Sequence, residues 1–329
     1  MLSYLSKRIL IAIPLLIGIT LLSFLVIHLA PGEPIVLQQE LQAEATGKAK
    51  ETLRQLYGLD RPLHIQYVDW LWHILRLDFG RSFSPDGRLV IDKIAERVPI
   101  TLALNVVELA VIFCLALPIG IFSATHQYSL FDKITTVLVF IGFATPDFWL
   151  ALLLMIFFGV QLGWLPISGL RSLNWEYLPF WSRQRDLLSH LILPVFVGAF
   201  GGLAGLSRYM RQSMLEVVRQ EYIQTARAKG LPENRVLFKH AVRNALMPVV
   251  TILGLSVPGL IGGSVIIESV FAIPGMGQLF VQGAYSRDYP VLMGLTVIGA
   301  TLTLLGNILA DVAYGVVDPR IRLGRPKES

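Results

Sequence analysis

A membrane-crossing helix needs about 20 consecutive, mostly apolar residues, and stretches of that kind dominate this chain. Six segments qualify: Ile9 to Leu29, Ile100 to Ala124, Ile134 to Leu162, Leu187 to Leu206, Leu246 to Ile267 and Val291 to Ala313. Composition agrees with them. Of 329 residues, 54% are apolar and only 16% are charged, whereas a soluble domain carries roughly a quarter charged residues. The excess of five positive charges does not mark a nucleic-acid surface, because it is concentrated in the short segments between apolar runs, where membrane topology places it. The predicted fold class is therefore an all-α integral membrane protein with six transmembrane helices.

The first run follows Lys7 and Arg8 but is longer than the roughly 7–15 apolar residues of a secretory signal, and Ala30-Pro31-Gly32 is a poor cleavage context. It is read as a retained first helix. Orientation then follows from the basic residues. Lys7 and Arg8 place the N-terminus in the cytoplasm, together with the 125–133 turn, the 207–245 loop and the C-terminal tail. The 207–245 loop carries Arg208, Arg211, Arg219, Arg227, Lys229, Arg235, Lys239 and Arg243, and the tail adds Arg320, Arg322, Arg325 and Lys327. The expected organisation is a first transmembrane helix (1–30), an extracytoplasmic segment (31–98), a five-helix core (99–315) containing the cytoplasmic loop 207–245, and a cytoplasmic tail (316–329).

Two loops are long enough to fold. In the outer one, Tyr67, Trp70, Leu71, Ile74 and Leu75 recur at helical spacing within Gln66 to Leu77, an amphipathic helix that caps the bundle or receives an extracytoplasmic partner. In the inner one, Leu206, Met210, Met214, Val217 and Val218 extend the fourth span past the membrane as an amphipathic helix. A short helix from Glu221 then runs to a corner at Gly230, which takes the left-handed conformation readily; Pro232 opens a second helix over about 233–245. This second helix is expected to bury Val236, Leu237, His240, Ala241 and Ala245. From these residues alone the hairpin is equally a solvated projection and a docking element.

The remaining chemistry is sparse. The single Cys114 excludes an intrachain disulfide and a cysteine metal cluster, and it is expected to be buried and inert. The histidines lack metal-binding spacing, and no serine sits in a G-x-S-x-G context. No phosphate loop ending in Gly-Lys-Ser/Thr is present, so the chain is not its own ATP motor. Glu108 and Asp147 lie inside predicted spans. They either belong to a translocation path or pair structurally, and an ion-coupled secondary transporter would use such residues. Gly198, Gly202 and Gly205, and likewise Gly259 and Gly263, either let neighbouring helices approach closely or are simply tolerated in a membrane helix.

Tyr222-Ile223-Gln224-Thr225-Ala226-Arg227-Ala228-Lys229-Gly230-Leu231, followed by His240, Arg243, Asn244 and Ala245, resembles the cytoplasmic signature of permeases of the ATP-binding cassette importers, in its dipeptide/oligopeptide version. Of the E-A-A letters in the general signature, only Ala226 is kept; Gln224 and Thr225 stand at the other two positions. The resemblance extends along nearly the whole chain. It includes Pro31-Gly32-Glu33-Pro34, Asp78-Phe79-Gly80-Arg81-Ser82, Ile273-Pro274-Gly275-Met276-Gly277, Arg287-Asp288-Tyr289-Pro290 and Asp318-Pro319-Arg320. The long outer segment is similar to that of the first, B-type, permease of a pair. This resemblance implies a type I importer permease in the cytoplasmic membrane that moves di- or oligopeptides or a related small solute and catalyses no reaction. It implies that Glu221, Tyr222, Gln224, Thr225, Ala226, Arg227, Ala228, Lys229, Gly230 and Leu231 couple the chain to an ATPase. It also implies a second homologous permease, two cytoplasmic ATP-binding subunits that use ATP and Mg2+, an extracytoplasmic solute-binding protein and surrounding membrane lipid. No metal and no cofactor is expected on this chain, and no nucleic acid.

Overall fold

The computed structural model describes residues 2–29, 60–256, 259–262 and 264–317. The regular elements among them are helical, apart from an isolated antiparallel bridge between Arg81 and Leu89. They are α1 (Leu2–Leu29), α2 (Leu63–Leu75), α3 (Val90–Thr125), α4 (Leu130–Ala144), α5 (Asp147–Leu154, continued as a π-helix over Met155–Gln161) and α6 (Phe180–Val218). Then come α7 (Glu221–Ala228), α8 (Glu233–Ala245), α9 (Met247–Ser256), α10 (Gly259–Gly262), α11 (Val265–Val270), α12 (Met276–Ser286) and α13 (Tyr289–Val317).

Four helices (α1, α3, α6 and α13) are each long and apolar enough to cross a membrane. Two bent helix pairs bring the total to as many as six. The first, second, fourth and sixth predicted spans each fall within one unbroken helix. The third does not. Its two halves, α4 and α5, meet at 107°, because Pro146 has no N–H to continue the helix and forces Thr145 into extended geometry (φ −93°, ψ 118°). The fifth predicted span is divided among α9, α10 and the start of α11, and Ser264 restarts the helix by accepting a hydrogen bond from the Ile267 N–H at 3.2 Å.

The bundle is organised by α3 lying against α6. A Cβ at Gly120 would come within 2.7 Å of the Met210 Cβ and the Ser207 carbonyl, so the two backbones approach as closely as glycine permits. Gly198 and Gly202 meet Glu108 and Ile112 of α3 in the same way. Gly205 sees only ordinary contact with Phe143, and Gly259 faces open space, so neither serves as a close-packing point; Gly263 lies outside the described residues. Large apolar side chains such as Leu10, Leu22, Val26, Phe140 and Val160 point outward, as they do when lipid replaces water around a bundle. Cys114 corrects one expectation. It is exposed, because no other part of the described chain covers that side of α3.

Helix α2 packs its Tyr67 against α1. The Tyr67 hydroxyl is 3.0 Å from the Thr20 hydroxyl, and its ring meets Phe24 edge-on. Leu75, expected on the same face, is exposed. The segment that follows is tied to the start of α13. Buried Asp288 accepts hydrogen bonds from the Ser82 hydroxyl and, at 3.1 Å, from the Phe83 N–H. Lys93 donates to Ser82 and forms an ion pair with Asp86 at 2.8 Å. That hydrogen bond from the Lys93 ammonium holds the Asp86 carboxyl below the ordinary carboxylate range.

Candidate coupling hairpin and intramembrane carboxylates

The inner hairpin is built from apolar anchors. Met210 and Met214 on α6 and Val236, Ala241 and Ala245 on α8 form one buried cluster, and Ile223 and Ala226 from α7 insert into it. At i and i+3 these two residues lie on one face of α7, so the rest of the helix turns away from the protein. Glu221, Tyr222, Gln224, Thr225, Arg227, Ala228 and Lys229 are all exposed, and Leu231 is half-buried beside them.

The corner closes as glycine chemistry requires. Gly230 has φ +75° and nothing within 4 Å of where a Cβ would stand. The glycine is there for its backbone, not for space. The Gly230 N–H donates to the Arg227 carbonyl at 2.9 Å and the Lys229 N–H to that of Thr225 at 3.1 Å, which satisfies carbonyls at the end of α7. Pro232 then precedes α8, whose first residue, Glu233, accepts from Arg227 through two hydrogen bonds of 2.7 and 3.2 Å across the corner. The helix–corner–helix reading therefore holds, with Val236, Ala241 and Ala245 buried as expected and Leu237 and His240 only half-buried. The π-helical turn over Val236–Val242 has no counterpart in the sequence reading.

The hairpin is also tied down. Ser213 donates to the Ala245 carbonyl at 3.0 Å. Arg211 on α6 makes two hydrogen bonds, 2.6 and 2.9 Å, to Asp132 at the start of α4. Asp132 is buried and also accepts from the Tyr128 N–H, while the Ser129 hydroxyl accepts from the Asp132 N–H. Sequence reasoning misses this brace, although Ser129-x-x-Asp132 is a visible capping pattern.

The two intramembrane acids lie in different surroundings. Glu108 is buried on α3 with its carboxyl against Gly198 of α6, and one of its oxygens, Oε1, has no hydrogen-bond partner. Asp147 is exposed at the first turn of α5, directly after the bend. Asp147 and Glu268 are both close enough to act on Glu108 electrostatically. Glu268 has no role in the sequence reading, yet it is the best-satisfied acid of the three. It accepts from the Thr101 hydroxyl at 2.8 Å and from the Gly277 and Gln278 N–H groups at 2.6 and 3.2 Å, which caps the N-terminus of α12. Gly275 and Gly277 are glycines because a Cβ there would fall on this carboxyl or the groups around it. That pair of glycines, within nine residues of an acid, is the signal available in the sequence.

A bundle around α3 and α6 with apolar side chains turned outward, and a helical hairpin with an exposed polar face, fit an import permease of the binding-protein-dependent class. Residues 116–323 match the family described as binding-protein-dependent transport system inner membrane component, and residues 1–105 match its N-terminal companion. The chain belongs to that family: it is a multi-pass permease component of an ATP-binding cassette importer, not an enzyme and not an ion-coupled secondary transporter. It is 46% identical to the oligopeptide transport system permease protein AppB of Bacillus subtilis over 98% of this chain and 99% of that one. It is 40% identical to a putative peptide permease protein of Brucella suis over 98% of this chain and 100% of that protein. With the oligopeptide transport system permease protein OppB of Haemophilus influenzae it shares 38% identity, over 98% of this chain and 100% of that protein.

Proposed function

We propose that this chain is one of two similar permeases of a peptide importer, and that the exposed face of α7 receives the stroke of a cytoplasmic ATP-binding subunit. Residues Glu221, Tyr222, Gln224, Thr225, Ala226, Arg227, Ala228, Lys229, Gly230 and Leu231 make up the coupling element. Within it Ile223 and Ala226 hold the helix to the bundle and the exposed side chains meet the ATPase. The observation that carries this reading is the division of one short helix into a buried face inserted among α6 and α8 side chains and a polar face turned away from the bundle. A push on such a helix is transmitted into α6, and through α6 to α3. The names of the relatives support peptides as the substrate.

In this reading ATP and Mg2+ are bound by two separate ATPase subunits, solute arrives on an extracytoplasmic binding protein, and both termini are cytoplasmic, as the basic loops indicate. Affinity purification from gently solubilised native membranes tests it. A second permease and ATP-binding chains should co-purify, and should be lost when residues 224–231 are deleted at unchanged expression. Recovery of the chain without any ATP-binding partner would refute the assignment. Orientation is checked separately: a cysteine at Arg219 should react with impermeant reagent only from the cytoplasmic side, and one at Asn174 only from outside.

A further inference from the structure

A cleft of about 240 Å3 opens between α3, α4 and α6, beside the brace that joins Arg211 to Asp132. Its polar lining is Ser123, Thr135, Thr136, Ser207, Arg208 and Arg211. Hydropathy ends the second predicted span at Ala124, starts the third at Ile134 and ends the fourth at Leu206. Ser123, Thr135 and Ser207 each stand one residue from one of those ends, so this lining sits where hydrocarbon gives way to headgroups. The rest of the lining is apolar and deeper. Ile119 is four residues before Ser123 on α3, and Phe140 is four after Thr136 on α4, each about 6 Å further into the hydrocarbon. Helix α6 keeps the same order, with Arg211 one turn beyond Ser207 on the headgroup side.

The donors available in the cleft belong to the arginines. Thr136 donates to the Asp132 carbonyl at 2.7 Å, Ser207 to the Ala204 carbonyl at 3.2 Å and Thr135 to the Phe131 carbonyl at 2.9 Å. Ser123 is then the donor in its 2.8 Å hydrogen bond with Thr135. Arg211 gives its Nε and one Nη2 hydrogen to Asp132, which fixes the guanidinium and leaves three of its five N–H donors. Arg208 is exposed, and no carboxylate pairs with it among the described ion pairs. Asp132 therefore balances one of the two positive charges, and the cleft is net cationic. An anion answers the arginines, and the apolar floor says which kind. The cleft is smaller than the roughly 300 Å3 at which pockets for whole small molecules begin. A phospholipid meets both halves, its phosphate oxygens taking guanidinium donors and its chain running along Ile119, Val139 and Phe140. Phe140 is 60% exposed, so the chain passes from the cleft onto the outward apolar surface of α4. Basic pockets between membrane helices take anionic headgroups in this way.

We infer that the cleft is a binding site for an anionic phospholipid, held at its phosphate by Arg208 and Arg211. The lipid joins α4 to α6 at the level where Met210 and Met214 enter the hairpin cluster, so the charge of the surrounding lipid is felt at the base of the hairpin.

The test uses the full-length chain in its assembled complex, purified in detergent at about 0.15 M salt and titrated with dioleoyl phosphatidylglycerol or dioleoyl phosphatidylcholine, with bound lipid read by native mass spectrometry. Phosphatidylglycerol should bind more tightly than phosphatidylcholine. Arg208→Gln should weaken phosphatidylglycerol about fivefold, the contribution of one basic residue at a membrane surface, and Arg208→Lys should keep most of the affinity. Arg219→Gln removes an exposed arginine at the C-terminal cap of α6, about 16 Å from Arg208 along the helix and beyond the screening length of roughly 8 Å; it should leave binding nearly unchanged. Equal affinity for the two lipids, or an equal loss in Arg208→Gln and Arg219→Gln, would overturn the site. Displacement of phosphatidylglycerol by inorganic phosphate at equal concentration would assign the cleft to a free anion instead, and would overturn the lipid. A second measurement places the chain. Phosphatidylglycerol carrying a photoreactive diazirine in the upper part of its acyl chain should label the peptide containing Phe140, and Arg208→Gln should reduce that labelling while Arg219→Gln does not. Labelling at Phe140 in the isolated chain but not in the assembled complex would mean that another subunit covers the cleft, which contradicts the proposal.

Discussion

The molecule turns two sharp corners with glycine, at the predicted inner loop and at the predicted outer turn, for opposite reasons. At the inner corner Gly230 has a left-handed backbone and open space where a side chain would stand. At the outer corner Gly275 is extended (φ −106°, ψ −172°), a conformation open to any residue, but its missing Cβ makes room for Glu268 and Thr101. The inner glycine sets direction and leaves its surroundings free; the outer one allows a carboxylate to cap α12 from within. One corner is therefore finished, with its polar groups satisfied inside the chain. The other is a rigid element with an outward polar face, the property a surface needs if a second protein is to push on it.

That contrast predicts unequal responses to substitution. The largest effect falls on the outer corner. Glu268→Ala orphans the Gly277 and Gln278 N–H groups and the Thr101 hydroxyl, each of which costs about 1–3 kcal/mol when left buried without a partner. A drop in the thermal midpoint of the detergent-solubilised protein should report it, together with reduced expression. Transport by whatever folds is secondary there. At the inner corner the order reverses. Gly230→Val places a β-branched residue at φ +75°, at about 1–2 kcal/mol, so the fold survives while coupling of ATP hydrolysis to uptake is lost. Gly230→Asn, which tolerates the left-handed region, should retain much of the uptake. If the valine variant transports normally, the corner's direction does not matter and the comparison breaks.

The smallest effect concerns the outer cap. The Asp86 carboxyl, held low by Lys93, contributes its stabilisation in full above the ordinary carboxylate range and loses it as pH falls through its lowered value. Its partner Lys93 is mostly buried but Asp86 is half exposed, so the pair is worth about 1 kcal/mol or less. Asp86→Asn should lower the neutral-pH midpoint by that small amount and leave the midpoint at acid pH, where the pair is already lost, nearly in place.

Much of this architecture is legible in the order of residues. Apolar length alone locates α1, α3, α6 and α13, because lipid rewards continuous apolar runs whatever they pack against. Gly230 and Pro232 mark the inner corner through local backbone chemistry, and the spacing of Met210 and Met214 marks the extension of α6. The unread parts depend on contacts between distant segments. Hydropathy averages across Pro146, so Ile134 to Leu162 reads as one span although the proline that divides it is plain to see. Beyond the glycine pair at Gly275 and Gly277, nothing local says that the Glu268 carboxylate meets amides nine and ten residues ahead and a hydroxyl on α3, or that Arg211 reaches Asp132. Nor does the sequence show that Glu108 lies in the notch of Gly198; only the packing of α3 on α6 brings them together.

The account stands on the exposed face of α7 being an ATPase surface. The direct measurement is cross-linking in the assembled importer, in a Cys114→Ser background, from a cysteine at Gln224. A cysteine at Tyr285, the exposed position near the end of α12, serves as the outer-side control. The account predicts a product joining Gln224→Cys to an ATP-binding subunit, with a yield that changes on addition of ATP, and none from Tyr285→Cys. An intact complex in which Gln224→Cys and Thr225→Cys never reach an ATP-binding subunit would contradict it.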